Sequence, residues 1–192
     1  MEIYLLRHGR TTRPGTFTGI TDIGLAREGE KQIRKISPLL EAARIEACYC
    51  SPLSRCRDTL RLIALNCEVT FDEALKEIDF GVWEGMKYSQ ILSAYPEEAA
   101  RWDELRERFT FPGGASISGF NRGVWNWFDK LLNCGHERVL VVAHGGVLRE
   151  GLRRLLGLDA DCPFGFNIAE GGVSRITIRD GQPCLEYFNC RG

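Results

Sequence analysis

Three short apolar runs predict strands that are buried on both faces. Each run is four or five residues long and unbroken, as in the central strands of a mostly parallel sheet. The runs are residues 3–6, 47–50 and 139–143. Two later segments, 172–178 and 184–188, flank Asp180-Gly181, a dipeptide typical of tight hairpin turns. The pattern therefore predicts buried strands in both halves of the chain and a late hairpin.

Apolar residues at helical spacing follow these strands. Helices are predicted at residues 25–43 and 53–65 and, after Gly145-Gly146, through Leu156, and Pro38 is expected to kink the first of them. The inner positions of the first two helices are Ile33, Ile36, Leu39 and Leu40, then Leu53, Leu60, Ile63 and Ala64.

This alternation of strands and helices favours one α/β domain over residues 1–192. We expect three layers, with helices on both faces of a mostly parallel open sheet. Residues 84–133 are mostly helical and rich in aromatic side chains, and we interpret them as a helical cap inserted in this domain. Most of these aromatic side chains are expected to pack together, with Trp83 and Tyr88 lining a substrate pocket.

The charge balance excludes partners that bind by bulk attraction. The 192 residues include 25 Lys and Arg against 26 Asp and Glu, which gives a formal net charge of -1. We expect no nucleic-acid partner and no membrane partner, so any bound anion must be held by a few local cations. No apolar stretch reaches the roughly 20 residues of a membrane span. We expect a cytoplasmic protein, since the first residues also lack a secretory signal pattern.

The cysteine spacing does not suggest a metal site. No two cysteines form a Cys-x-x-Cys pair, and no histidine lies at a suitable spacing. Cys48 and Cys50 would share one face of a strand. We interpret the cysteines as buried, reduced thiols, and we expect neither a metal nor a cofactor. The eight are Cys48, Cys50, Cys56, Cys67, Cys134, Cys162, Cys184 and Cys190.

Two of the three histidines directly follow predicted strands. His8 follows the first strand and His144 follows the run at 139–143, and each is followed by glycine. Residues just past the carboxyl ends of parallel strands line the crevice where ligands bind, so we expect these two rings to face each other. His136 lies in a polar loop and is expected to be solvated.

Arginines at the same sheet edge predict an anion site. Arg7 precedes His8, and Arg55 lies in the first turn of the helix after Ser51. Guanidinium groups match the oxygens of a phosphoryl group. Arg57 and Arg61 are alternatives, and only the first-turn position favours Arg55.

A carboxyl group is also predicted near this edge. Glu77, Asp79 and Glu84 lie among apolar and aromatic residues, where a carboxyl retains its proton more readily and can act as an acid. Spacing alone does not choose among the three.

Six blocks of sequence resemble one known family in their order. They are residues 6–11, 17–22, 51–55 with Thr59, 77–85, 111–114 and 143–146. Together they span nearly the whole chain and resemble the histidine phosphatase superfamily, in its phosphoglycerate-mutase-like branch. The resemblance implies a phosphoglycerate mutase-like fold.

The resemblance also implies a role for each site residue. His8 would be the nucleophile that forms a phosphohistidine, and Glu77 would be the acid, in preference to Asp79 and Glu84. Around the phosphoryl group it implies further contacts, from Arg7, Arg55, His144, Thr18, Gly19 and the Gly145 amide. No metal is needed for this chemistry.

Three positions depart from the family pattern. Pro14 stands where many members have asparagine, and Ala115 where many have glutamate. Ala26 replaces the usual Ser or Thr before a helix, which removes a helix cap. These departures concern substrate contacts more than the reacting groups.

The expected function is hydrolysis of a phosphomonoester on a small metabolite. The short first loop and residues 15–22 and 77–81 most resemble α-ribazole phosphatases of cobalamin assembly, which suggests α-ribazole 5'-phosphate as the substrate. Alternatives are a phosphoglycerate mutase, whose family members are longer and need extra cations, and a phosphatase of broad specificity for sugar phosphates and nucleotides. An inactive phospho-ligand binder is disfavoured by the complete set of reacting residues. The sequence leaves monomer and homodimer open.

Overall fold

A computed structural model describes residues 1–158 and 165–192. It has six strands and six α-helices within these ranges. The strands are β1 (Glu2–Arg7), β2 (Ala47–Cys50), β3 (Glu68–Phe71), β4 (Arg138–Ala143), β5 (Val173–Arg179) and β6 (Gln182–Cys190). The helices are α1 (Arg27–Ala42), α2 (Ser54–Arg61), α3 (Tyr88–Ala94), α4 (Pro96–Leu105), α5 (Ile117–Leu131) and α6 (Gly145–Leu155).

The strands form one mostly parallel sheet in the order β3-β2-β4-β1-β5-β6. Strands β1 to β4 are mutually parallel where they pair, whereas β5 runs antiparallel to β1 and to β6. The predicted hairpin turn is confirmed, because Asp180 and Gly181 both adopt positive φ angles of 50° and 75°. The central strands β1 and β4 thus end side by side at the carboxyl edge.

The sheet is covered on both faces, as the apolar runs predict. Alternate side chains of a strand point to opposite faces: Leu5 packs in the layer with α5 and α6, and Leu6 in the layer with α1 and α2. Cys48 and Cys50 share the second layer and are buried, as predicted. The prediction of burial is wrong for the exposed Cys184 and for three cysteines that are only partly buried, Cys67, Cys134 and Cys190. Cys162 lies outside the described residues.

Two details of this region differ from the sequence prediction. Helix α2 ends at Arg61, and Ala64 is exposed, because the chain leaves the helix in turns closed by the Leu62 and Ile63 amides. Strand β3 was not predicted, since it is an edge strand with no fully buried side chain.

Helix α1 runs through Pro38, and its N-cap residue Ala26 makes no side-chain hydrogen bond.

A third apolar cluster lies beneath helices α3 and α4. It is built around Trp83, which is fully buried and contacts Trp102, Phe109 and Phe111 through their rings. Helix α5, also inside the predicted cap at 84–133, instead packs on α6 and the sheet through Val124. The boundaries of the cap stay a prediction.

None of the described helices is both long enough and apolar enough to cross a membrane.

Candidate active site

The carboxyl ends of β1 and β4 bring the two histidines together. Arg7 and Ala143 are register partners, and the next residues are His8 and His144. The His8 amide donates to the Ala143 carbonyl at 3.1 Å, and the two ring centroids are 5.2 Å apart. The predicted facing pair is therefore confirmed. His136 is exposed, as expected.

His8 is held with one ring nitrogen free. Its Nδ1 lies 2.8 Å from the Gly9 carbonyl oxygen, and since a carbonyl only accepts, Nδ1 carries the proton and Nε2 keeps its lone pair. Burial lowers the pKa of His8 to about 3, aided by the positive charges of Arg7 and Arg55. His8 is thus a neutral imidazole at pH 7, as a nucleophile must be.

His144 has the opposite tautomer. The Arg55 Nε–H donates to His144 Nδ1 at 3.0 Å, so the neutral ring carries its proton on Nε2, which donates to Ser51 Oγ at 2.8 Å. Burial, followed by the charge of Arg55, lowers the pKa of His144 well below its usual value. Ser51 was missed as a partner of His144, although its position just after β2 places it at the same sheet edge.

Arg55 is the buried arginine of helix α2. It is 1% exposed, whereas the alternatives Arg57 and Arg61 are exposed. Its other two nitrogens donate to the Thr21 carbonyl at 2.9 Å and the Gly19 carbonyl at 2.6 Å. These bonds aim the guanidinium toward His144 and confirm the preference for the first-turn arginine.

Arg7 lies at the mouth of the site. One terminal nitrogen donates to the Ile168 carbonyl at 2.6 Å, while its Nε is buried and has no hydrogen-bond partner among the described residues. A side chain on Gly145 would come within 3.4 Å of the guanidinium carbon, so the glycine lets Arg7 lie against the start of α6. An unpartnered N–H at this point is available to an anion.

The structure separates the three candidate carboxyls. Glu77 lines a cavity, and its Oε2 accepts the Gly146 amide proton at 2.8 Å at the start of α6. Asp79 instead accepts from the Gly81 amide in a local turn. A Cβ on Gly146 would fall 2.3 Å from Glu77 Oε1, so the second glycine after His144 makes room for this carboxyl.

Glu84 is engaged in holding two loops, mainly through backbone amides. Its carboxylate accepts from the amides of Gly19, Ile20, Thr21 and Phe80, and from the Thr21 hydroxyl, at 2.5–3.2 Å. It therefore fixes the loop whose carbonyls hold Arg55. Sequence reasoning missed this role, because the partners lie up to 65 residues away in the chain.

These contacts also occupy the predicted donors of the Thr18-Gly19 segment. The Gly19 amide is bonded to Glu84, and the Thr18 hydroxyl lies 2.8 Å from the Thr16 hydroxyl. The described site thus brings together Arg7, His8, Arg55, Glu77, His144 and Gly145, whereas substrate contacts by Thr18 and Gly19 stay a prediction.

A cavity of about 1260 Å³ opens beside these residues. Arg7, Glu77 and Gly145 line it, while His8, Arg55 and His144 are almost fully buried and do not. Its aromatic lining is Phe17, Phe80, Trp102, Phe111, Phe120 and Phe166. The expectation for Trp83 and Tyr88 is wrong: Trp83 is a core residue, and the half-exposed Tyr88 stacks on Phe17 outside the lining.

Comparison with known proteins agrees with this geometry. The histidine phosphatase superfamily (branch 1) matches residues 3–191. Phosphoserine phosphatase 1 of Hydrogenobacter thermophilus is 28% identical over 98% of this chain and 92% of its own. The adenosylcobalamin/α-ribazole phosphatase of Escherichia coli is 27% identical over 100% of this chain and 97% of its own.

The solved structures give the same result. The α-ribazole phosphatase of Shigella flexneri superposes with a TM-score of 0.91 at 27% identity, covering 100% of this chain and 98% of that one. A family model that matches nearly the whole length of the chain shows the family. The chain belongs to the histidine phosphatase superfamily.

Proposed function

We propose that this protein is a phosphomonoester hydrolase that works through a phosphohistidine on His8. The observation that carries the proposal is the bond from His8 Nδ1–H to the Gly9 carbonyl. It leaves Nε2 as a neutral lone pair, next to Arg7 and His144. A phosphate held there meets a nucleophile that needs no prior deprotonation.

In the first step, His8 Nε2 attacks phosphorus and the P–O bond to the alcohol breaks. The proton of the Glu77 carboxylic acid passes to the departing oxygen, so the alcohol leaves neutral. The positive charges of Arg7 and Arg55 stabilise the negative charge spread over the equatorial oxygens. Since His8 is only 5% exposed, the phosphate reaches it between Arg7 and Glu77, which line the cavity.

In the second step, water replaces the alcohol. The Glu77 carboxylate takes a proton from water, whose oxygen attacks phosphorus, and the P–N bond breaks with its electron pair returning to His8 Nε2. Inorganic phosphate leaves, and both His8 and Glu77 are back in their starting protonation states. None of these steps uses a metal or a cofactor.

We propose α-ribazole 5'-phosphate as the substrate and a place in cobalamin biosynthesis. Two observations support this choice: the relatives named α-ribazole phosphatases, and an aromatic-lined cavity of about 1260 Å³, which suits a bulky aromatic leaving group. The partner is thus a small phosphate ester. The reduced thiols Cys48, Cys50 and Cys56 fit a cytoplasmic protein.

The alternatives are phosphatases of other substrates and the mutase reaction. The relative named phosphoserine phosphatase 1 favours a small phosphorylated acid, and Arg106 and Arg149 in the cavity lining offer cations for a carboxylate. A phosphoglycerate mutase would return the phosphoryl group to substrate rather than to water. A broad-specificity phosphatase would hydrolyse sugar phosphates and nucleotides in the same cavity without preferring one of them.

Hydrolysis of p-nitrophenyl phosphate by wild type and His8→Ala, without added metal, tests the reaction. We expect wild-type turnover and a loss of at least about 10³-fold in the variant, because the nucleophile is removed. Equal activity of the two proteins would contradict the role of His8.

A substrate panel tests the specificity. We expect a kcat/KM for α-ribazole 5'-phosphate well above the values for phosphoserine, sugar phosphates and nucleotides. A flat profile would favour the broad-specificity alternative. Rapid conversion of 3-phosphoglycerate to 2-phosphoglycerate with a bisphosphoglycerate primer would favour the mutase.

A further inference from the structure

Helices α5 and α6 contribute three buried polar side chains to the cavity, apart from the proposed reacting groups; one of them, Arg153, forms an ion pair with Glu107. Asn121 on α5 is 6% exposed and Glu150 on α6 is 4% exposed, and both line the cavity. A buried polar group costs free energy unless it is hydrogen-bonded. Buried polar groups that line a ligand cavity between aromatic walls are placed to bind the polar atoms of a ligand.

The Glu150 carboxyl has capacity to accept further hydrogen bonds. Among the described residues, none donates to its Oε2 in hydrogen-bond geometry, although the Trp125 N–H lies close enough to favour the carboxylate form. Arg149 Nε lies 3.8 Å from the other oxygen, which is beyond hydrogen-bond length. Because the last torsion of glutamate is broad, the carboxyl can rotate to offer its unpartnered oxygen to a ligand.

The surrounding charges indicate which ligand group fits. Four arginines and three glutamates line the same cavity, so a cationic ligand group meets no net negative charge there and is disfavoured; the arginines are Arg7, Arg106, Arg149 and Arg153. A neutral hydroxyl donates to a carboxylate and also accepts from a carboxylic acid. It therefore suits Glu150 in either form, although burial raises the pKa of this carboxyl against the opposing charges of Arg153 and Arg149.

Building on the proposed phosphatase function, we propose that Glu150 and Asn121 bind the vicinal hydroxyl groups of a ribose in the leaving group. A carboxylate that accepts from ribose hydroxyls is a common mode of nucleotide recognition, and the Asn121 amide supplies both a donor and an acceptor. The two residues thus select ribonucleoside 5'-phosphates over their 2'-deoxy counterparts. A site built to bond a hydroxyl rejects the analogue without it, because its own polar group is left unpaired.

The test uses α-ribazole 5'-phosphate and its 2'-deoxy analogue as competitors of p-nitrophenyl phosphate, which carries no hydroxyl. We expect the 2'-deoxy analogue to have an inhibition constant at least about tenfold higher in wild type. Glu150→Met and Asn121→Leu should each reduce this ratio to about twofold or less, with kcat/KM for p-nitrophenyl phosphate changed by no more than about threefold.

Asp129→Asn is the matched control. Asp129 links α5 to Arg154 of α6 through two hydrogen bonds at 2.8 and 2.9 Å on the exposed side of the helix pair. Its loss weakens the same helix contact outside the cavity, so the ribose preference should persist. Loss of the preference in this control as well would assign the effect to packing and overturn the proposal.

Two further results would overturn it. One is a wild-type protein that binds the ribo and 2'-deoxy compounds with constants within about twofold; the other is a Glu150→Met protein that keeps the tenfold preference. If Glu150→Met fails to fold, the wild-type ratio and Asn121→Leu decide the question. If the phosphatase proposal itself is wrong, the wild-type protein will not hydrolyse p-nitrophenyl phosphate. In that case calorimetric binding of α-ribazole and 2'-deoxy-α-ribazole to wild type measures the same preference.

Discussion

At the residue scale, two glutamates seven positions apart are assigned opposite functions by their partners. Glu84 accepts from four backbone amides of two loops, and a buried amide without a partner costs about 1–3 kcal/mol. Glu77 accepts from the Gly146 and Ile78 amides and lines the cavity. One carboxyl therefore holds the loops together, and the other faces the cavity, where we propose that it exchanges a proton with substrate.

We expect Glu84→Gln to lower the free energy of unfolding by about 1–3 kcal/mol, because the neutral amide oxygen cannot satisfy all the converging donors. Activity should fall as well, since the Gly19 and Thr21 carbonyls position Arg55. Urea unfolding followed by circular dichroism measures the change. Unchanged stability would show that the loop is held by other contacts.

Glu77→Gln should give the reverse pattern. The glutamine oxygen still accepts an amide proton, so we expect the unfolding free energy within about 0.5 kcal/mol of wild type. We expect kcat for alkyl phosphates to fall at least about 10²-fold, because the proton donor is lost. p-Nitrophenolate leaves without protonation, so the variant should still form the phosphohistidine from p-nitrophenyl phosphate. Stopped-flow should therefore show a burst of one equivalent, followed by slow turnover because the base for the water step is lost. Asp79→Asn is the control and should keep most activity; a similar loss in it would reopen the choice of acid.

The buried neutral histidines predict how stability depends on pH. His8 has a folded pKa of about 3, below its value near 6.5 in the unfolded chain. The unfolded state therefore binds more protons between these values, and stability falls as pH drops through this window. In urea unfolding from pH 6.5 to 4.5, the wild-type slope should exceed that of His8→Ala by up to about 1.4 kcal/mol per pH unit. Parallel slopes would mean that His8 is charged in the folded protein.

At the element scale, the α5–α6 pair supports both the sheet and the cavity wall. Its close approach depends on Gly151, where a Cβ would come within 2.3 Å of the Phe128 ring. We expect Gly151→Ala to destabilise the protein by about 1–3 kcal/mol through overpacking.

Gly123, on the exposed side of α5, is the matched site. A Cβ there meets nothing within 4 Å, so Gly123→Ala should stabilise the protein by about 0.5–1 kcal/mol through helix propensity. Thermal unfolding of the two variants should therefore shift in opposite directions. Two shifts of the same sign would contradict the packing described for this helix pair.

At the scale of the whole molecule, the pattern of apolar residues and the positions just after strands predicted those features that depend on neighbouring residues in the chain. Unbroken apolar runs identified β1, β2 and β4, and parallel strand ends placed His8 opposite His144. Local pattern could not predict edge strand β3, whose side chains are all at least partly exposed. It also missed the burial of Trp83 and the bonds of Glu84, because both depend on residues distant in the chain. The choice among Glu77, Asp79 and Glu84 came from the family resemblance, and the contacts of the fold explain it.

The central claim, a covalent intermediate on His8, is tested most directly by rapid acid-free quenching of the enzyme with α-ribazole 5'-phosphate or p-nitrophenyl phosphate. Mass spectrometry of the proteolytic peptides should find one phosphoryl group on the peptide that contains His8, labile to acid and stable to base. Glu77→Gln should accumulate it, and His8→Ala should lack it. A substrate turned over with no phosphorylated His8 peptide in either wild type or Glu77→Gln would contradict the mechanism.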